Sequence, residues 1–152
     1  MLSPDLKAYI ERSVLCWLGT VDDCGNPNVS PKEVFCAWGE DLILIANIAS
    51  PESEKNIRSW PEVCVSFVDV FVQKGFKVKG SATVVEPSSL QFSELLVPLE
   101  AITNGSFPIR NIFRVTIKKT FPIIAPSYRM TAERTEEQQI ESALRTYGVQ
   151  RT

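Results

Sequence analysis

The 152-residue chain contains no histidine. That absence excludes Ser-His-Asp and Cys-His catalysis and a histidine-ligated haem, since each needs an imidazole as base or ligand. Its four cysteines, Cys16, Cys24, Cys36 and Cys64, form no C-x-x-C pair. Three of them lie in apolar, strand-like runs, where a thiol serves as a small hydrophobe, so no metal site is expected. Neither G-x-G-x-x-G nor G-x-x-x-x-G-K-[ST] occurs, which removes both common nucleotide loops. No apolar run approaches the ~18 residues of a membrane span. The opening MLSPDLKAYIERS lacks a basic region followed by an apolar core, so no signal peptide is read and the cytoplasm is the expected compartment. A net charge of −2 without blocks of like charge gives no reason to expect nucleic acid.

What remains is an ordinary globular composition, 44% hydrophobic and 22% charged, long enough for one domain over residues 1–152. Ser3 and Pro4 open a first helix with Leu6, Tyr9 and Ile10 on its apolar stripe. Val14–Val21 reads as a strand, residues 22–27 as a turn, and Asn28–Trp38 as its hairpin partner. On that partner Ser30 and Lys32 share one face, with Pro31 and Glu33 on the other. Pro31 cannot donate to a ladder, which predicts an edge or a bulge. Val63–Val72 and Phe76–Glu86 read as further strands separated by Gly75, with a bulge at Gly80. A helix carrying Phe92, Leu95, Leu96, Leu99 and Ile102 follows, and Pro98 predicts a kink or two short helices. Pro108–Ala125 is a long strand, and Thr135 with Gln138 forms a capping box for a last helix over residues 135–147 that ends at Gly148. Hairpin-joined strands with few βαβ intervals predict a mainly β fold, an antiparallel sheet closed into a small barrel with peripheral helices.

The most informative stretch is Asp41–Trp60, DLILIANIASPESEKNIRSW. Leu42–Ala46 is a continuous apolar run, the pattern of a strand covered on both faces. Ser50 fits an N-cap and Pro51 the first helical position, followed by Ser53, Lys55, Asn56 and Arg58 in two turns. Unpaired N–H groups, hydroxyls and a lysine at a helix start suit a phosphate. A plain capped surface helix explains the stretch too, because Glu52 and Glu54 already answer the helix dipole.

LGTVDDCGNPNVSPKEV, LILIANIASPESEKNI, WPEVCVSF and GFKVKGSA, in that order over Val14–Glu86, resemble the pyridoxamine 5′-phosphate oxidase-like family of FMN-binding split β-barrels. The closing PSYRMTAERTEEQQIESALRTYG is similar to tails of uncharacterised members more than to that of the oxidase. The resemblance implies FMN held between two subunits of a homodimer, with a flavin-dependent oxidoreductase as the activity and no assigned catalytic residue. A non-catalytic flavin carrier, a deazaflavin-binding relative and a dimer without flavin stay open as alternatives. Carried over by position, Ser30, Pro31, Lys32 and Glu33 would line the phosphate and flavin edge. Ala46 and Asn47 would offer backbone groups to the ring, and Ser50, Ser53, Lys55 and Asn56 would receive the phosphate. Lys32 stands where the oxidases commonly have arginine, supplying charge without a bidentate fork. Gly75 stands where they often have glutamine, with Gln73 two residues earlier.

A surplus of apolar residues, Val29, Phe35, Trp38 and Leu42–Ala46, also points to a second subunit. The C-terminal helix replaces the arginine-rich strand that serves the oxidases, so activity on pyridoxamine phosphate itself is not expected. Tyr128 or Arg129 would face the flavin if that helix walls a pocket, and Ile140 and Leu144 would be buried if it packs over the barrel or the subunit seam.

Overall fold

The computed structural model of the chain describes residues 1–130 and 134–152, so residues 131–133 of the tail quoted above lie outside the described set. Helix α1 spans Pro4–Arg12, with the Ser3 hydroxyl accepting the Leu6 N–H at 3.1 Å and Leu6 and Ile10 buried beneath it. Strands β1 (Cys16–Val21), β2 (Pro27–Lys32), β3 (Phe35–Trp38) and β4 (Leu42–Asn47) lead into helix α2 (Pro51–Ser59). Strands β5 (Glu62–Asp69) and β6 (Lys74–Val85), helix α3 (Phe92–Thr103), strand β7 (Asn111–Ile124), a short turn of helix α4 (Ser127–Met130) and helix α5 (Glu136–Tyr147) complete the order.

The strands make one seven-stranded sheet, β2-β1-β5-β6-β7-β4-β3, antiparallel throughout. Strands β2 and β3 lie at opposite edges, yet only Glu33 and Val34 separate them in the chain. The sheet must therefore curl until its edges meet; the Ala46 N–H donates to the Val34 carbonyl at 2.9 Å, which extends the β3–β4 register by one residue toward the point where the chain leaves β2. The expected single strand Asn28–Trp38 is thus two, broken where the chain passes from one edge to the other. Pro31 sits on an edge strand, where its missing donor is harmless.

Two cores hold the curl. Inside it pack Leu18, Ile43, Ile45, Val65, Phe67, Val78, Phe113 and Val115, closed at one end by Leu6 and Ile10 of α1. On the outer face of β4 and β7, Leu44, Ala46 and Ile112 pack against Phe92, Leu95 and Leu99 of α3. The apolar run of β4 is therefore buried on both faces, although β4 lies second from the edge rather than centrally. This arrangement uses up the residues read as a subunit surplus: Phe35 is buried, Trp38 packs on the second core, and only Val29 of that set stays exposed, at 61%.

Gly80 sits at a bulge, where the β6–β7 pairing jumps between Lys79 and Gly80 and a Cβ would strike the Thr116 carbonyl. Gly75 does not divide two strands; it lies inside β6, its Cβ position blocked by the Phe67 carbonyl. The chain reverses instead at Val70–Gln73, where Asp69 Oδ1 accepts the Phe71 and Val72 N–H groups, each at 3.1 Å, and Gln73 takes φ 56°. Pro98 does not split α3, because Leu95 and Leu99 anchor the turns on both sides of it. The capping box of α5 is formed, with Thr135 Oγ1 accepting from Gln138 at 3.2 Å and Gln138 Oε1 from Thr135 at 3.1 Å.

Helix α5 rests on the Val70–Gln73 turn. Phe71 meets Tyr147 edge-on at 6.1 Å, Lys74 pairs with Glu136 at 2.7 Å, and Tyr128 Oη donates to the Val72 carbonyl at 2.7 Å. Ile140 and Leu144 are only half-buried there, while Ala143 and Gln139 are buried. Among the described residues no helix is long and apolar enough to cross a membrane.

Candidate cofactor site at the barrel seam

Lys32, the last residue of β2, is carried into the seam and is 6% exposed. Its ammonium donates to Ser50 Oγ at 2.6 Å and to Ser30 Oγ, and Ser30 Oγ in turn meets Ser53 Oγ at 3.2 Å. Among the described residues no carboxylate pairs with it. Burial pulls the Lys32 pKa below its ordinary value, an effect that Cys16, opposite it on β1, partly offsets. Burial also pushes the Cys16 thiol up to about 12. A buried ammonium served only by hydroxyls is an incomplete arrangement, because neutral partners do not return the desolvation of a charge.

Ser30 and Lys32 thus come together with the start of α2, but not through a shared ladder: β2 pairs only with β1, and closure of the barrel supplies the contact. Ser50 stands at the N-cap position without capping, since its backbone (φ −125°, ψ 64°) turns its hydroxyl to Lys32. The loop is braced instead by Asn47, fully buried, whose Oδ1 accepts the Ser50 N–H at 3.0 Å and whose amide donates to Glu54 and Asn111, each at 2.8 Å. Glu54 is spent in the same way: its hydrogen bond from Arg58 holds its carboxyl below the usual range.

Beside Lys32 a cavity of about 370 Å³ opens, lined by Pro31, Lys32, Glu33, Ala46 and Ser50 of the sequence-read set. Leu15, Val34, Ile48, Ala49 and Phe107 complete it. Phe107 follows the Asn104-Gly105 break, and no local pattern marks it in the sequence. Ser53 and Asn56 are buried behind the wall, with Asn56 donating to Thr20 Oγ1 at 3.0 Å and its own Oδ1 without a partner. Lys55 lies exposed on the outer side of α2, in a groove with Arg58 and Arg110. Gln73, Tyr128 and Arg129 do not line the cavity; Tyr128 is held at the Val70–Gln73 turn. One exposed group of close potential metal ligands occurs among the described residues, Asp22, Asp23 and Cys24, and Asp22 Oδ1 there serves the turn by accepting the Cys24 and Asn26 N–H groups. The buried Lys32 ammonium, the Ser50 hydroxyl and a mostly apolar wall, with the exposed Glu33 as its acidic member, suit a ligand with an anionic head and a flat apolar body.

Comparison with known proteins matches this fold. An FMN-binding protein of Syntrophomonas wolfei superposes with a TM-score of 0.70 at 19% identity, over 82% of this chain and 87% of its own. A candidate pyridoxamine 5′-phosphate oxidase of Lactobacillus delbrueckii gives 0.67 at 23% identity, over 79% and 93%. HutZ, the heme storage protein of Vibrio cholerae, gives 0.61 at 23% identity, over 79% and 93%. No curated protein matches the chain by sequence. Residues 2–123, which include the whole seam and its cavity, match the family model of pyridoxamine 5′-phosphate oxidase, and the chain belongs to that family.

Proposed function

We propose that the chain is an FMN-binding oxidoreductase whose cofactor phosphate is held at Lys32. The observation that carries this reading is the buried Lys32 ammonium, partnered by hydroxyls alone and opening with Ser50 onto the 370 Å³ cavity. A phosphate there would complete the charge that the protein leaves unanswered, with Ser50 as a second donor. Pro31, Ala46, Ile48 and Phe107 would flank the flavin ring. When bound, a flavin supplies electron transfer, and the chain supplies position, exclusion of water and the local field.

The subunit arrangement is part of the same proposal. Val29 and Trp17, 61% and 46% exposed, stand on the outer face of β2 and β1 beside Pro31 at the cavity rim. A second copy seated there would cover them and close the cavity. Light scattering tests this directly, since a folded species of 17.0 kDa at working concentration refutes it.

Purified protein should take up FMN in equal molar amount, and the spectrum of the extracted cofactor separates FMN from a deazaflavin. A preparation that ignores both would refute the reading. Turnover of reduced pyridine nucleotide supports an enzyme; redox cycling without any substrate supports an electron carrier. The haem reading that the HutZ likeness suggests is disfavoured by the absence of histidine. Pyridoxamine phosphate is a poor fit as substrate, because among the described residues Lys32 is the sole basic one lining the cavity and a second phosphate would find no cation from them. Rapid conversion of it to pyridoxal phosphate by the FMN-loaded protein would overturn that statement.

A further inference from the structure

Glu33 belongs to two cavities. Besides the one at Lys32, it lines a second of about 330 Å³, between the end of α1, the start of β3 and the end of α3. Glu11 and Glu33, both exposed acidic residues, line this space, and among the described residues no lysine or arginine does. The cations adjacent in sequence are engaged elsewhere. Arg12 lies over the Tyr9 ring at 3.8 Å and reaches Asp69 at 3.7 Å, and Lys32 is held by Ser30 and Ser50. Ser13, which ends α1, also lines the cavity, and its buried Oγ has no hydrogen-bond partner. The C-terminal end of α1 adds the negative pole of a helix. Cys36 contributes a neutral thiol, because burial pushes it up to about 11. Ile10, Phe35, Ala37 and Ile102 give the cavity an apolar lining.

We propose that this second cavity binds a small organic cation, an ammonium on an apolar body without an anionic group, and that Glu33 sets it beside the cofactor cavity as the substrate. The binding claim stands on the cavity alone; the substrate role rests on the flavin reading above.

Calorimetric titration of the purified chain without added flavin tests the site, using benzylammonium with benzyl alcohol and benzoate as controls of similar size. Benzylammonium should bind saturably and about tenfold or more tighter than either control, weakening as salt is raised. Glu11→Gln and Glu33→Gln, both at exposed positions and so tolerable to the fold, should each weaken it by up to about fivefold, and more in combination. Equal binding of benzyl alcohol, indifference to both variants together, or no benzylammonium binding would overturn the proposal. FMN uptake is measured separately. Uptake of FMN with no cation binding sinks the second cavity and leaves the flavin reading intact; cation binding without FMN uptake does the reverse.

Discussion

Replacing Lys32 with methionine separates the energetic cost of the seam from its use. Holding an ammonium at 6% exposure carries a desolvation penalty of several kcal/mol even after relaxation. Its hydrogen bonds to the Ser30 and Ser50 hydroxyls return about 1.5–3 kcal/mol each, so the two effects roughly cancel. Methionine, of similar length, buries apolar surface worth about 1.5–3 kcal/mol and has no charge to desolvate. Against that, Ser50 loses its partner at about 1 kcal/mol, while Ser30 keeps Ser53. The apo variant should therefore be as stable as the parent or more stable by about 1–2 kcal/mol, raising Tm by about 2–8 °C in a chain of this length. Its FMN affinity should fall about 10- to 150-fold, the scale of one charged hydrogen bond. The pH dependence has a definite sign. Because the folded-state pKa of Lys32 lies below 10.5, the unfolded chain binds more protons between the two values. Parent stability should gain a contribution as pH rises through that window, a contribution the methionine variant lacks, while parent affinity for FMN should decline over the same range. Urea unfolding at neutral and alkaline pH, with and without FMN, measures all of these. A variant less stable than the parent by more than about 2 kcal/mol, or one that binds FMN unchanged, would refute the reasoning.

Other perturbations test the frame around the site. Gly75→Ala should cost about 3 kcal/mol or more, since its Cβ would overlap the Phe67 carbonyl inside the β5–β6 ladder, and urea unfolding reads the loss. Leu99→Ala, fully buried on the inner face of α3, should cost about 2–5 kcal/mol and loosen the cover over β4; a change below about 1 kcal/mol would mean that α3 does not pack there. Glu54 has a folded pKa below its ordinary 4.5, so its contribution is fully present above that value and lost as pH falls through the folded one. Glu54→Gln should accordingly flatten the acid limb of a stability-against-pH curve, and an unchanged limb would count against the Glu54–Arg58 bond.

Elements were legible in the sequence where one local rule dominated. The capping box at Thr135 and Gln138, the Gly80 bulge and the two-faced burial of Leu42–Ala46 all follow from short-range patterns, and the structure has each of them. The division of Asn28–Trp38 was not legible, because nothing in Lys32-Glu33-Val34-Phe35 locally stops a strand. The break is imposed by closure of the sheet, a non-local condition. Gly75 misled for a related reason: a glycine in a hairpin reads as its turn, whereas here the Phe67 carbonyl of the paired strand β5 demands it and Asp69 makes the turn. For the site, helix periodicity put Ser53, Lys55 and Asn56 on one short helix but could not say which of them face the seam. Tertiary packing buries Ser53 and Asn56 against β1 and β2 and leaves Lys55 outside. Of the apolar residues read as a subunit surplus, Leu44, Ala46 and Trp38 pack in the core beneath α3 and Phe35 in the core inside the curl, both long-range contacts within the chain, while Val29 stays exposed.

The seam explains why Lys32 is where it is. A sheet that curls until its edge strands are joined by two residues leaves a line where no ladder runs, and backbone groups along it need other partners. The Asn47 side chain takes one of them, the Ser50 N–H. Side chains at such a line can approach the other end of the sheet without a ladder between them, which is how Lys32 on the edge strand β2 reaches Ser50 in the loop after β4. The same gap leaves room for the 370 Å³ cavity, whose walls come from β2, the Glu33–Val34 link, and β4 with the loop after it. Filling the line with apolar residues would close the barrel more firmly, as the balance at Lys32 indicates. A cation that stabilises the free chain little, and that sits at the one line where the sheet is open, finds its physical rationale in an anion arriving from outside.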